Sequence, residues 1–591
     1  MSNKLPTKDL SINNAQAFIT AIESEDGRDT KNSTVLYAAI GNVDPYENEP
    51  TPSQPVDSRQ YLQYETHRKM VGAKKINPED VSHVTLRNDW VPGTVYSMYR
   101  DQDINLYDRP FYVMTNEYNV YKCLFNNEGA PSTVKPSGFS TLPFTTSDGY
   151  TWKYMYTISL GDASKFLTKV HMPVKTLKLS DGTIESDRQV AVQQSAVNGS
   201  IEVVEVDDSG VEYLQVTNGV VDAGGKFSIR LSGGSGVDAS PLDNIYNGSS
   251  VYIISGTGSG QLRRIIDYSG STKTLVVNTA FATVPNTDSR VIISPTVTVI
   301  GDGFGAKAYS RVDENGGVAN VSIIDSGQNY TRAQALISSN VVNGSGATAN
   351  VIISPVGGHG SDPIRELGGD KVALNVQFAS KEGLSANGNG YIPSNTEFRT
   401  ISILKDPILK VDANNNHVQT ETIANTSNSP ETLRMTSRLT ISYNQMNGDD
   451  PVNELEVRDT ITNERVRLRA ELGELEFVTE LSPTQRRFDS LANAVKGANA
   501  DVAYVRKDET EPDPSFYTVY INNVESYSNK PVFVKDDVIL KSTSETEIAT
   551  VEQIKGPEAN TFSGEILFTE NIAVVTRDLE QQEDFKIILD F

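Results

Sequence analysis

Between residues 185 and 356, short apolar runs recur about every ten residues, and the gaps between them are turn-forming. The runs include Ile201–Val206, Ser250–Ile254, Thr274–Asn278 and Val318–Ile324, and the breaks include Asp208-Ser-Gly, Gly233-Gly-Ser-Gly, Gly256-Thr-Gly-Ser-Gly and Asn315-Gly-Gly. Alternation turns one face of each strand inward, and glycine and asparagine supply the backbone freedom that tight reversals need. Such a segment is expected to build sandwich-like β modules. Gly301-Asp-Gly-Phe-Gly-Ala-Lys-Ala and Gly344-Ser-Gly-Ala-Thr-Ala echo one another, but two copies do not make a solenoid.

The rest of the chain has other textures. Residues 1–33 read as an arm with a short helix over Asn13–Glu23, whose apolar face is Ala17, Phe18, Ala21 and Ile22. Val35–Ile40 is a short apolar run, and residues 58–76 read as helix. From Trp90 to Tyr156, 15 of 67 residues are aromatic, including both tryptophans of the chain. Rings bury much area at little entropic cost, so this block is a dense core or an interaction surface. Its expected strands are Phe111–Thr115, Val120–Phe125 and Trp152–Ile158. Longer apolar strands return over 372–410, and Asp412–Pro430 reads as a polar loop. A second β-rich unit covers 431–562, with strands Leu439–Tyr443, Phe516–Ile521 and Val532–Leu540 and a helix over 484–498. Phe585–Phe591 makes a terminal strand. At 591 residues the chain exceeds what one hydrophobic core can serve. The expected fold is mainly β and multidomain, with a minor α component.

Charge and motifs narrow the chemistry. The net charge of −24 opposes binding to a polyanion, and no run of Lys or Arg offsets it, so no nucleic-acid partner is expected. No stretch approaches the roughly 18 apolar residues of a membrane span, and the first residues lack the apolar core of a signal peptide. The expectation is a soluble product made in a cytoplasm. A single cysteine, Cys123, precludes an intrachain disulfide and reads as a buried small hydrophobe. His67, His83, His171, His359 and His417 show no metal-ligand spacing. Asp412, Asn414 and Asn416 imitate a calcium loop but lack its glycine and glutamate, with His417 and Ile423 in those places. The glycine-rich runs do not lead into helices as a phosphate cradle requires. No catalytic residue, cofactor or metal is assigned; the profile fits assembly or binding better than turnover. Exposed tyrosines such as Tyr246, Tyr252, Tyr268 and Tyr330 would suit the alternative reading, a β-rich adhesin binding host surface glycans.

Several stretches, in order, resemble one family. They are Val35-Leu-Tyr-Ala-Ala-Ile-Gly with Asp44-Pro-Tyr, Arg87-Asn-Asp-Trp, Val120-Tyr-Lys-Cys-Leu and Asp148-Gly-Tyr-Thr-Trp-Lys-Tyr-Met-Tyr. Phe398-Arg-Thr-Ile-Ser-Ile with Asp406-Pro, Gly564-Glu-Ile-Leu-Phe-Thr-Glu-Asn and the closing Glu583–Phe591 complete the series. Together they resemble the baseplate wedge proteins (gene 8 product type) of contractile-tailed myovirus bacteriophages. The likeness covers about 34–180, 372–410 and 563–591; Tyr46 stands where a tryptophan is expected. It implies a wedge body in three parts, 34–184, 372–410 and 563–591, interrupted by β insertions at 185–371 and 411–562. It also implies a non-enzymatic structural subunit, located in the virion's tail baseplate. The expected partners are a second copy in a homodimer, other wedge subunits, and fibre or peripheral baseplate proteins. Trp90, Tyr112, Tyr121, Tyr150, Trp152, Tyr154 and Phe398 are the candidate interface or body anchors, since Trp and Tyr dominate interface hot spots.

Overall fold

A computed structural model describes residues 7–23, 34–41, 51–56, 58–233, 239–338, 344–379, 396–410, 430–443, 467–471, 498–507, 516–526, 533, 535–541, 547–577 and 581–591. Tyr46, the 412–429 stretch with His417, and residues 484–497 of the expected helix lie outside them. The chain divides into two compact units. The first holds Met1–Asn13, His83–Lys371 and Asp590–Phe591; the second holds Asn14–Ser82 and Val372–Leu589. The body segment expected over 34–184 is thus divided between them at Ser82.

In the first unit the aromatic block forms a four-stranded antiparallel sheet, in the order Tyr112–Met114, Asn119–Asn126, Tyr150–Thr157, Phe144–Thr145. Both faces of its two long strands are covered, so burial there is nearly continuous. The helix Ile184–Ser195 follows, with Thr183 accepting a hydrogen bond from the Ser186 amide and Glu185 in the first turn. The β insertion expected from 185 thus opens on a helix, and Thr183 is its N-cap in the sequence.

Residues 201–353 then form two closed six-stranded barrels, the inner one inserted in sequence between Ile201–Asp208 and Thr296–Gly301 of the outer. The inner barrel runs Val216–Gly224, Ser228–Leu231, Thr274–Val277, Leu262–Ser269, Ser250–Ser255, Arg290–Ser294, and closes where Val216 pairs with Ile293. The outer barrel runs Thr296–Gly301, Lys307–Val312, Val318–Asp325, Ile201–Asp208, Thr348–Ile353, Ala333–Ser338, and closes on Thr296 beside Ser338. Each has its own apolar core, centred on Val251, Ile265 and Leu275 in the inner barrel and on Ile201, Ala308 and Tyr330 in the outer. The expected sandwich-like modules thus close on themselves; inward alternation is common to both packings, and closure rests on pairing between first and last strands.

In the second unit a five-stranded sheet has the order Thr432–Arg434, Met70–Lys75, Leu36–Gly41, Glu397–Lys405, Glu565–Thr576. The helix expected over 58–76 spans only Arg59–Lys69, and the chain passes directly into the strand Met70–Lys75. Met70, Val71 and Ala73 are buried, and this strand is paired on both sides, so sheet burial overrides the helical spacing. A third six-stranded barrel takes in Ser437–Tyr443, Phe516–Ser526, Ala498–Lys507, Arg467–Glu471, Val538–Lys541 and Glu547–Lys555. Of the candidate strand Val532–Leu540, Val532 and Val534 lie outside the described residues; the strand present there is Val538–Lys541, after a turn at 535–536.

Candidate functional site

Six of the seven sequence-derived anchors are interior. Tyr112, Tyr121, Tyr150, Trp152 and Tyr154 are at most 2% exposed in the first unit, and Phe398 is 1% exposed in the second. Trp90 is partly buried against the same aromatic core and donates its indole N–H to Ser132 Oγ at 3.1 Å. The Trp152 ring stacks on Tyr150, centroids 5.4 Å apart, and meets Tyr96 edge-on at 6.0 Å. Tyr154 lies edge-on to Tyr121 and Phe139, and Tyr112 to Phe111. The hydroxyls bond inward: Tyr150 to Ala130 O at 2.6 Å, Tyr112 to Leu86 O at 2.8 Å, Tyr121 to Gly138 O at 2.9 Å. Burial raises the pKa of each of these phenols. Phe398 packs edge-on to Phe585 at 5.8 Å. These side chains pack the interior of the unit each belongs to.

Burial also overturns one expectation. Tyr246, Tyr268 and Tyr330 are barrel-core residues at most 4% exposed, and Tyr252 stacks on Tyr309 at 4.7 Å. Tyr268 is carried inward by strand alternation and Tyr246 and Tyr330 enter the cores from connecting turns, so these three offer no open platform for a sugar; Tyr252, between the inward-facing Val251 and Ile253, is half-buried outside the core.

The residues missed by sequence reasoning are charged ones inside the aromatic sheet. Lys122 and Lys153 sit opposite one another on adjacent strands, a like-charge pairing that is unfavourable by itself. Carboxylates compensate. Lys122 Nζ, wholly buried, donates to Glu366 Oε2 at 2.9 Å and lies 3.9 Å from the Tyr99 ring centroid. Glu366 Oε1 accepts from the amides of Gly360 at 2.8 Å and Asp362 at 3.2 Å. Lys153 donates to Thr141 O, and its charge interacts with Glu202. Burial lowers the pKa of both lysines and raises that of Glu202. A lysine in mid-strand of an aromatic run is the signal that could have revealed the cluster. Lys122, Lys153 and Glu366 are at most 4% exposed, and Glu202 is half-buried.

Other chemistry-bearing groups are similarly occupied. Cys123 is buried, its thiol pKa pushed well up by burial. His83 Nδ1 bonds Gly369 O at 2.8 Å, and His67 Nε2 bonds Ser563 O at 2.9 Å. Among the described residues, no group of three His, Cys, Asp or Glu is placed to hold a metal. Nor is any described helix long and apolar enough to cross a membrane.

The second unit does carry an open aromatic patch. Tyr61 and Tyr64, one turn apart on the helix Arg59–Lys69, are about half exposed, as is Phe562. Phe562 stacks on Tyr64 at 5.5 Å, and the Arg68 guanidinium lies 5.3 Å from the centroid of the Tyr64 ring. Phe562 has φ of +66°, a left-handed backbone rare for a bulky residue, and this conformation presents its ring to Tyr64. Beside the patch, a cavity of about 220 Å³ is lined by Val56, Tyr61, Leu62, Glu65, Thr400 and Asn571 among others. Compared with known proteins, the chain matches no family model and no curated protein.

Proposed function

We propose that this chain is a structural subunit of a bacteriophage tail baseplate wedge, which dimerises and joins neighbouring wedge proteins during tail assembly. The observation that carries the reading is where the family-like stretches lie. Leu36–Gly41, Glu397–Lys405 and Glu565–Thr576 are far apart in sequence yet hydrogen-bond side by side in one sheet. Two further stretches, Val120–Leu124 and Tyr150–Tyr156, lie in the two central strands of the aromatic sheet. The residues between 201 and 353, and those of the third barrel, close on themselves with their own cores. Each unit thus has a sheet built from shared stretches, with self-closing barrels inserted between those stretches in sequence, which supports a scaffolding role.

The buried charges and aromatics bind structure to structure, which also favours scaffolding over catalysis. An assembly subunit needs accessible apolar anchors, and Tyr61, Tyr64 and Phe562 provide them. The test is electron microscopy of phage particles labelled with antibody to the third barrel. Label at the distal plate of the tail is expected. Label along the sheath or at fibre tips, or particles that never bind it, would overturn the assignment. In solution, light scattering of the purified chain should give twice the monomer mass of 64.5 kDa. Tyr61→Ser with Phe562→Ser should leave the fold intact while weakening association with wedge partners.

A further inference from the structure

The buried charges lie where the chain enters and leaves the inner and outer barrels. The incoming connection ends at Ser200, before the outer-barrel strand Ile201–Asp208; the outgoing one starts at Ser354, after Thr348–Ile353. The two run side by side: the Ser200 amide bonds Ser354 Oγ and the Ser354 amide bonds Ser200 O, each at 2.9 Å, and the Gly357 amide bonds Asn198 Oδ1 at 2.9 Å. Paired connections of this kind form a joint between the aromatic sheet and the barrels.

His359 sits in the outgoing connection. Gly357, Gly358 and Gly360, with φ of +87°, +97° and +91°, surround it in a conformation that other residues resist. A Cβ on Gly358 would lie 2.5 Å from the Val197 backbone, so the turn packs tightly against the incoming connection. The imidazole is 3% exposed and meets the Tyr99 ring edge-on at 4.9 Å. Its Nδ1 is buried and finds no partner on the protein. Lys122 and Lys153 of the sheet act on it electrostatically, Glu366 pairs with Lys122, and Glu202 balances both lysines from the first outer-barrel strand. Asp101 and Asp362 lie farther out, hydrogen-bonded to the Ile353 and Arg365 amides.

We propose that His359 makes this joint proton-sensitive: a proton on its ring adds a third cation beside Lys122 and Lys153, loosening the two connections and freeing the inner and outer barrels on acidification. With the ring neutral, two lysines face two glutamates and the cluster is balanced; the added proton leaves one positive charge in excess in a buried space. Burial, then the two lysines, holds the His359 pKa well below the ordinary histidine value. The closed joint therefore rejects a proton that an opened joint accepts, and acid favours opening. With an ordinary pKa of about 6.5 in the opened joint, His359 raises opening at pH 5.0 by at most about thirtyfold, against almost no change at pH 7.5; Glu202 and Asp101, whose pKa values burial raises, offset part of it.

The test is hydrogen exchange of the full chain at pH 7.5 and 5.0, corrected for intrinsic rate. Residues 196–208 and 354–361 are expected to lose protection several-fold, and at most about thirtyfold, at pH 5.0, while Val251 and Leu275 in the inner barrel core keep theirs. His359→Gln and His359→Phe should abolish the response, and Glu202→Gln should preserve it. If His359→Gln does not fold, the wild-type profile still decides. Unchanged protection at pH 5.0 would overturn the proposal, as would an undiminished response in either His359 variant or its loss in Glu202→Gln.

Discussion

Trp152 offers a sharp test of how the aromatic core is held. Its ring is fully buried between Tyr150 and Tyr96, and its indole N–H finds no acceptor on the protein. Truncation by Trp152→Ala removes the whole ring and should cost about 3–5 kcal/mol. Trp152→Phe is subtler. It gives up the packing of two or three ring atoms, worth about 1.5–2.5 kcal/mol at roughly 0.8 kcal/mol per buried carbon. It also removes an unpaired buried donor, whose penalty is about 1–3 kcal/mol. The two nearly cancel, so the net change should lie within about 1 kcal/mol. Tyr150→Phe, a smaller change in volume, should cost more. The Tyr150 hydroxyl donates to Ala130 O at 2.6 Å and accepts from the Tyr96 amide at 3.3 Å, and both partners would be stranded. That loss is about 1–3 kcal/mol. Urea unfolding followed by tryptophan fluorescence measures all three variants. Trp90 and Trp152 both belong to this core, so the signal is free of contributions from the barrels. A Trp152→Phe cost above that of Tyr150→Phe would refute the reasoning and indicate that the indole N–H is satisfied in solution.

Three further outcomes are expected. Lys122→Met should destabilise the same core by about 3–5 kcal/mol by leaving Glu366 as a lone buried charge, and Lys122→Met with Glu366→Leu should recover most of it in the same fluorescence assay. Gly358→Ala should cost at least about 1–3 kcal/mol, because a positive φ and a clash with the Val197 backbone coincide there; hydrogen exchange in 354–361 would report it. In the second unit, burial lowers the His67 pKa, so the unfolded chain binds the proton more readily. Protection of the strand Met70–Lys75 should therefore fall as pH drops through about 6.5, and His67→Gln should flatten that dependence.

The strands of the aromatic block were legible because rings and β-branched residues alternate with clear turn signals, and their ends agree with the structure to within two residues. Barrel closure was not legible, since Val216 beside Ile293 is a pairing across 77 positions that no local pattern encodes. The strand Met70–Lys75 was hidden because Leu62, His67 and Met70 sustain a helical spacing while the competing force, pairing on both sides, is tertiary. Aromatic density correctly marked a place of strong packing but could not tell core from interface, because both reward the same rings. The Lys122–Glu366 pair joins residues 244 positions apart and only the fold shows it. The lysine alone, set between Tyr121 and Cys123, was the trace it left in the sequence.

The five-stranded sheet has a consequence for synthesis. Leu36–Gly41 finds one neighbour, Met70–Lys75, soon after it leaves the ribosome, but its other neighbour is Glu397–Lys405. Roughly 350 residues separate those partners, which is about 20–70 s of translation at 5–20 residues per second. Throughout that interval the edge of Leu-Tyr-Ala-Ala-Ile is unpaired, a template for pairing with any other nascent chain. The inner and outer barrels are completed during the same wait, and because they close on themselves they present no edge for that strand to seize. Over 201–353, self-closing insertions therefore let nearly half of the detour be translated without offering that strand a wrong partner.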